Sequence, residues 1–322
     1  MGNVVVIGSF NVDHVWNAAT LPRPGETLSG KYRSGPGGKG FNQATAAARA
    51  GAATAFVCAL GEDAGGQLAR SLATADGIDL RDQRSDAPTG TAGIFVDAQG
   101  RNSIVIGPGA NAALSPGFVE RQLDAIGTAK VLLAQLETPT DAVAMAFTIA
   151  CDAGVPTLLN PAPADAIVPA ALWALANVVT PNETEFCAQL ARQAGEQADP
   201  DTLAARDDET LHDLCRRLLP HGSVVITLGA AGCFVSHPAH DLRGDAGPHY
   251  RLAAETVNAI DTTGAGDAFS GALAAALADA PAAPFRHHVR YASRYAALST
   301  ERAGAAAAMP RDAEVRERFG AA

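Results

Sequence analysis

The run Asp261-Thr262-Thr263-Gly264-Ala265-Gly266-Asp267-Ala268-Phe269-Ser270-Gly271 places a turn of small residues in front of an Ala-rich segment, Ala268 to Ala278, whose composition predicts a helix. A helix starting here leaves unpaired backbone N–H groups at its mouth, and its dipole favours an anion in front of them. Glycines let a phosphate approach that backbone closely. Asp267 then sets a carboxylate at the edge of an anion site, where it makes sense if it handles a proton. Phosphoryl transfer to an alcohol needs those two parts together: donors for the moving group and a base for the accepting hydroxyl. The same spacing also fits a Gly-rich connection with Asp267 as a simple helix cap.

The chain around this stretch has 322 residues, 48% hydrophobic and 18% charged, enough to bury a sizeable α/β core. With 24 Lys and Arg against 34 Asp and Glu, the net charge of −10 argues against general binding to nucleic acid or an anionic membrane. Cys58, Cys151, Cys187, Cys215 and Cys233 stand far apart without a Cys-x-x-Cys pair, so buried, reduced thiols are expected. The start of the chain runs straight into Val4–Ile7 without a signal-like segment, and no apolar run reaches membrane-spanning length, so the cytoplasm is the expected location. His237, His240, His287 and His288 lack partners at a metal-binding spacing and are expected on the surface or on helix faces.

Outward from the signature, short β-branched runs alternate with helical stretches. Strands are expected at Val4–Ile7, Thr54–Ala59, Val131–Leu136, Thr157–Leu159, Val178–Thr180 and Val224–Leu228, and helices at 66–75 and 290–298 among others. This alternation predicts an α/β fold: a doubly wound, mostly parallel sheet sandwiched by helices, in one domain spanning 1–322. Two extended regions interrupt it, Thr27 to Ser34 and Thr91 to Asp97 with its return through Ser103 to Ile106. The polar segment 193–208 and the Pro- and Gly-containing segment 237–250 are expected as surface excursions.

Strand ends carry the remaining candidates. Asn11 and Asp13 follow the first strand, where ligand crevices of open α/β sheets lie, and suit either a polyol or an Asx turn. Glu137 ends another strand, as a loop acid or a substrate-side group. Asn182 and Glu185 offer hard oxygens for magnesium held through water, and equally the pattern of a capping box. The segment Gly35-Pro36-Gly37-Gly38-Lys39-Gly40-Phe41-Asn42-Gln43-Ala44 formally contains G-x-G-x-x-G, but it does not follow the first strand directly, which excludes the dinucleotide reading. Gly40 after Lys39 stands where a P-loop needs Ser or Thr.

Two of these stretches carry a resemblance. Asp261 to Phe269 matches Asp-Thr-x-Gly-Ala-Gly-Asp-x-Phe, and Gly37 to Ala44 contains Gly-Gly-Lys-Gly-x-Asn-Gln-Ala. Both resemble the signatures of the ribokinase-like (PfkB) sugar kinases, and Gln135-Leu136-Glu137 and Asn182-Glu183-Thr184-Glu185 resemble further motifs of that family in the same order. Phe41 stands where a small residue is common. The resemblance implies a small β-sheet lid built from about 12–36 and 89–109, and a homodimer formed through it. It implies an ATP-dependent kinase with Asp267 as catalytic base and Asn11, Asp13, Gly38, Lys39, Asn42, Glu137 and Asp267 on the sugar. On the ATP side it implies Asn182, Thr227, Gly229, Gly232, Gly264, Ala265 and Gly266, with Glu185 at Mg2+ through water. A monovalent cation, K+, would lie near Asp261, Thr263, Ser299, Arg302, Gly304 and Ala308. The expected acceptor is the 5-hydroxyl of D-ribose; a nucleoside, fructose or 2-keto-3-deoxygluconate is the alternative within the family, and a non-catalytic sugar-binding regulator is the alternative outside it.

Overall fold

The structure is a computed structural model that describes residues 3–320. Its main sheet has nine strands in the order β13-β12-β11-β10-β9-β8-β1-β4-β5. These are β1 (Asn3–Ile7), β4 (Ala53–Gly61), β5 (Asp79–Ser85), β8 (Val131–Ala134), β9 (Thr157–Leu159), β10 (Val178–Val179), β11 (Ser223–Thr227), β12 (Cys233–Ser236) and β13 (His249–Leu252). The seven strands from β11 to β5 are parallel, and β12 and β13 extend them as an antiparallel meander. Alternation along the central strands feeds two cores: Val5, Ile7, Leu132 and Ala134 enter one, Val4, Val6 and Leu133 the other.

Helices cover both faces: α1 (Lys39–Arg49), α2 (Ala64–Ala75), α3 (Pro116–Glu120), α4 (Leu123–Gly127), α5 (Thr140–Asp152) and α6 (Ala170–Ala174) in the first part of the chain. Later come α7 (Glu183–Ala194), α8 (Pro200–Leu203), α9 (Asp208–Leu218), α10 (Ala265–Asp279), α11 (Phe285–Ser299) and α12 (Asp312–Phe319). The signature helix α10 is apolar nearly all round and accordingly buried. It lies against α1 because Gly271 has no side chain; a Cβ there would sit 2.4 Å from Gln43 O and 2.6 Å from Ala46 Cβ.

A second, four-stranded sheet has the order β3-β2-β6-β7: β2 (Asn11–Asn17), β3 (Lys31–Gly37), β6 (Gly90–Val96) and β7 (Asn102–Gly107). It is mixed, since β2 and β6 run parallel while its outer pairs are antiparallel. One face gathers Trp16 against Tyr32 and Phe95, each 5.2 Å away between ring centroids. Asn11 and Asp13 therefore belong to a strand of their own, correcting the Asx-turn alternative.

Other expectations are revised here. β5 reads as charged and irregular and is a strand only because it pairs along the sheet edge with β4. The 193–208 segment contains the end of α7 and α8, and the 237–250 segment ends in β13. His237 is buried and off any helix, against the expectation, because it finds Ser223 and Asp245 inside; His288 does lie on a helix, on the buried face of α11, where it meets Ala280 O. Four cysteines are buried as expected, but Cys151 is only partly covered. Among the described residues, no helix is long and apolar enough to cross a membrane.

Candidate active site

The chain leaves β1 for the second sheet and β4 on one side and returns as β8 on the other, so the strand order reverses between β1 and β8. Crevices outside the carboxyl ends of strands form at such reversals. Ser9, Gln135 and Glu137, the residues just past β1 and β8, lie at that point, and Asp267 in the first turn of α10 meets them from the other side.

Asp267 is buried, and both its oxygens are held by α1: Asn42 Nδ2 donates to Oδ2 and Gln43 Nε2 to Oδ1, each at 2.9 Å. Gln43 is itself fixed, donating also to Asn160 Oδ1 at 3.0 Å and accepting from Gln135 Nε2 at 2.6 Å. Burial raises the Asp267 pKa above the carboxylate range, opposed by the Lys39 ammonium and by the two amide bonds. Burial alone would depress the Lys39 pKa, but Asp267, Glu137 and Glu185 around it raise it, so Lys39 stays charged.

A cavity of about 130 Å³ opens beside Asp267, lined among others by Lys39, Asn182, Thr227 and the Gly264–Gly266 turn. Gly264 adopts φ 77° with its Cα face against Ala305, a conformation only glycine holds without strain. A Cβ at Gly266 would meet nothing within 4 Å, so the backbone there faces open space. The N–H groups of Gly264, Gly266 and Asp267 find no protein acceptor among the described residues, whereas Ala265 N–H turns back to Thr262 O at 3.1 Å. The expected cradle is thus present with Ala265 N–H withdrawn from it. Free N–H donors, an ammonium and a carboxylate around one cavity fit a phosphoryl group beside a hydroxyl.

On the other side of Asp267, Glu137 accepts from Ser9 Oγ at 2.6 Å and from Lys39 N at 3.0 Å, which anchors it at the start of α1. Gly38 is the residue before α1, with φ 87°. Asn11 is buried and accepts from Asn111 Nδ2 at 2.8 Å; Asn111 in turn bonds both backbone groups of Phe10. Phe41, rather than intruding on a pocket, packs edge-on to Phe10 and against Phe56 in the core.

Asp13 has its pKa raised from 3.8 to about 6, first by burial and then by the Glu137 and Asp267 charges, with Arg33 opposing. A raised carboxyl pKa costs no stability below the unfolded value and the full amount above the folded one, at most ~3 kcal/mol here. Asp13→Asn is therefore expected to raise the thermal midpoint at pH 8 and to lose that advantage as the pH falls through about 6 toward 4. Melting curves across this range test it, and a gain that does not change with pH would contradict the assignment.

The nucleotide-side candidates divide. Asn182 and Glu185 form a capping box at the start of α7, Asn182 Oδ1 accepting from Glu185 N and Glu185 Oε2 from Asn182 N. Burial raises the Glu185 pKa, against the pull of Lys39. Thr227 lines the cavity, bridged to Asn182 in the sheet direction, but Gly229 and Gly232 do not. They shape the β11–β12 turn, where a Cβ on Gly232 would lie 2.0 Å from Leu252 O.

The tail is brought to the signature by Asp261, whose carboxylate accepts from Thr263 N at 3.0 Å and Gly304 N at 2.9 Å. The carbonyls of Asp261, Thr263, Arg302, Gly304 and Ala308 accept no hydrogen bond from the described residues, while Ser299 O accepts weakly from Arg302 N. Unspent carbonyls of this kind suit a hard monovalent cation. Residues without an expected role, namely Ser9, Gln43, Asn111, Gln135 and Asn160, prove to hold the site together. Only Gln43 and Gln135 gave a signal, by standing inside the two quoted motifs.

Comparison with known proteins bears on what this arrangement does. The model of the pfkB family of carbohydrate kinases matches residues 1–312. The ribokinase of Haemophilus influenzae is 38% identical over 317 residues, covering 98% of this chain and 97% of that one. Among solved structures, the ribokinase of Giardia lamblia superposes with a TM-score of 0.87 at 27% identity, covering 99% of this chain and 98% of its own. That of Arabidopsis thaliana, solved complexed with ribose and ATP, superposes with a TM-score of 0.84 at 29% identity, covering 98% of each.

Proposed function

This chain belongs to the pfkB family of carbohydrate kinases, enzymes that phosphorylate a hydroxyl group with ATP, and we propose that its acceptor is the 5-hydroxyl of D-ribose. The observation that carries the reading is the position of Asp267, shared between the α1 amides on one side and the glycine turn on the other. Asn11, Asp13, Gly38, Asn42 and Glu137 hold the sugar hydroxyls. Each oxygen of Asp267 keeps a lone pair beyond its amide bond, and with it the carboxylate takes the hydroxyl proton as the phosphoryl group arrives. The N–H groups of Gly264, Gly266 and Asp267, with Lys39, stabilise the charge on that group.

Magnesium, when bound, would neutralise phosphate charge; Glu185 lines the same cavity as Asp267 and the glycine turn, which fits a hold on it through water. The unspent tail carbonyls support a potassium site that braces the glycine turn. The small sheet from about 12–36 and 89–109 acts as a lid on the one domain of 1–322, excluding water from the transfer. Ile104, Val105 and Ile106 stand exposed along β7 and support a homodimer through this sheet, which sedimentation velocity distinguishes from a monomer. Dependence on ATP supports a cytoplasmic location.

The test is ADP release across ribose, deoxyribose, fructose, 2-keto-3-deoxygluconate, inosine and adenosine, run in potassium and in sodium alone. Ribose should give the highest kcat/KM, and sodium alone should slow it several-fold. Faster turnover of any other acceptor would replace ribose, and equal rates in the two salts would remove the cation site.

A further inference from the structure

We propose that the cavity at the N-terminal ends of β9, β10 and β11, opposite the candidate active site along the strands, binds a small oxyanion, a phosphate or a carboxylate. It has a volume of about 340 Å³ and is lined by Cys151, Gly154, Val155, Pro156, Asn177 and Arg243. What it presents to a ligand is a set of hydrogen-bond donors. Arg243 spends Nε on Ser223 Oγ at 3.0 Å and one Nη2 hydrogen on Asn177 O at 3.2 Å. Nη1 donates to no protein atom among the described residues, so three of five guanidinium hydrogens are free. Asn177 turns Oδ1 to Thr157, accepting from its N at 2.9 Å, which leaves the Asn177 Nδ2 as a further donor without a partner among the described residues.

The guanidinium is only partly neutralised, and on its Nε side alone. Asp245 is committed to His237 Nε2 at 3.1 Å and to Arg286 N at 2.9 Å. The other carboxylate, Asp241, is half exposed and 3.7 Å away on the Nε side, not the Nη1 side. Yet the structure works to hold Arg243 in place. It is the one non-glycine residue with positive φ, 50°, among those described. Its Nε is tied through Ser223 Oγ to the buried His237–Asp245 pair, and Phe285 covers it at 5.7 Å. A strained backbone that fixes a partly buried cation in a concave site, paired only with a half-exposed carboxylate on its Nε side, is an arrangement suited to an oxyanion. Burial also lowers the Arg243 pKa, as expected of a guanidinium kept from water without a full partner.

Cys151 supplies a local readout, because it lines the cavity and is the cysteine that is not buried. The experiment measures Cys151 modification by a thiol reagent at mildly alkaline pH, with saturating ADP and ribose present throughout. Inorganic phosphate and succinate are titrated in separate arms, with chloride at matched ionic strength as the control. Modification should slow about threefold or more in at least one oxyanion arm and not in chloride, and the arm that protects tells phosphate from carboxylate. Arg243→Gln should abolish the protection. Asp241→Asn, an exposed change that keeps its Oδ1, should lower the half-protecting concentration about threefold by removing the competing charge. Rates unchanged by both oxyanions, equal protection by chloride, protection surviving in Arg243→Gln, or no tightening in Asp241→Asn would each overturn the site.

Discussion

Asp267→Asn is expected to lower kcat by about three orders of magnitude while leaving the sugar KM within a few-fold of wild type. The substitution is nearly isosteric, so α10 keeps its start and Asn42 can still reach an oxygen on it. Two things are lost: the only carboxylate on the glycine turn, and one of the acceptors for Asn42 and Gln43. The first removes the proposed proton acceptor, and this loss bears on the transition state rather than on ground-state sugar binding. Steady-state kinetics with ribose as acceptor measures it. Turnover within a few-fold of wild type would remove Asp267 as base.

Gln43→Leu should be the next most damaging change, although Gln43 is not among the residues proposed to hold either substrate. It removes the donor to Asp267 Oδ1 and Asn160 Oδ1 and the acceptor for Gln135 Nε2, leaving three buried polar atoms short of a partner. Each such loss costs about 1–3 kcal/mol, so a drop in stability of about 3 kcal/mol or more is expected. Turnover should fall about 10- to 100-fold as the carboxylate loses its orientation. Gln43→Glu separates orientation from charge: a second carboxylate beside Asp267 raises the pKa of the base further, so the acidic limb of the kcat/KM profile moves to higher pH. An unmoved limb would mean that Gln43 serves packing alone.

Much of this site was legible in the sequence because its parts are local. The glycine turn, the Ala-rich helix after it and the β-branched runs are each set by residues within one turn or strand, where propensity and spacing act directly. The capping box of Asn182 and Glu185 was legible for the same reason, and the structure shows it made. By contrast, β5 and β13 are strands through their partners, and nothing in their own composition announces them. The buried His237 is likewise explained by Ser223 and Asp245, which only the folded chain brings to it.

The sequence by itself determined the mostly parallel α/β architecture and that Asp267 stands at a helix start behind a turn of glycines. Only the tertiary structure decided which groups Asp267 meets, which of the turn's N–H groups remain free, and that Asn160 and Gln135 brace the amide beside it. Asn42 and Asp267 are 225 residues apart, and their contact follows from two helices drawn together where Gly271 leaves room for the backbone of Gln43. Local preferences can place a carboxylate on a helix, but its neighbours are set by close packing between distant segments, which no local pattern encodes.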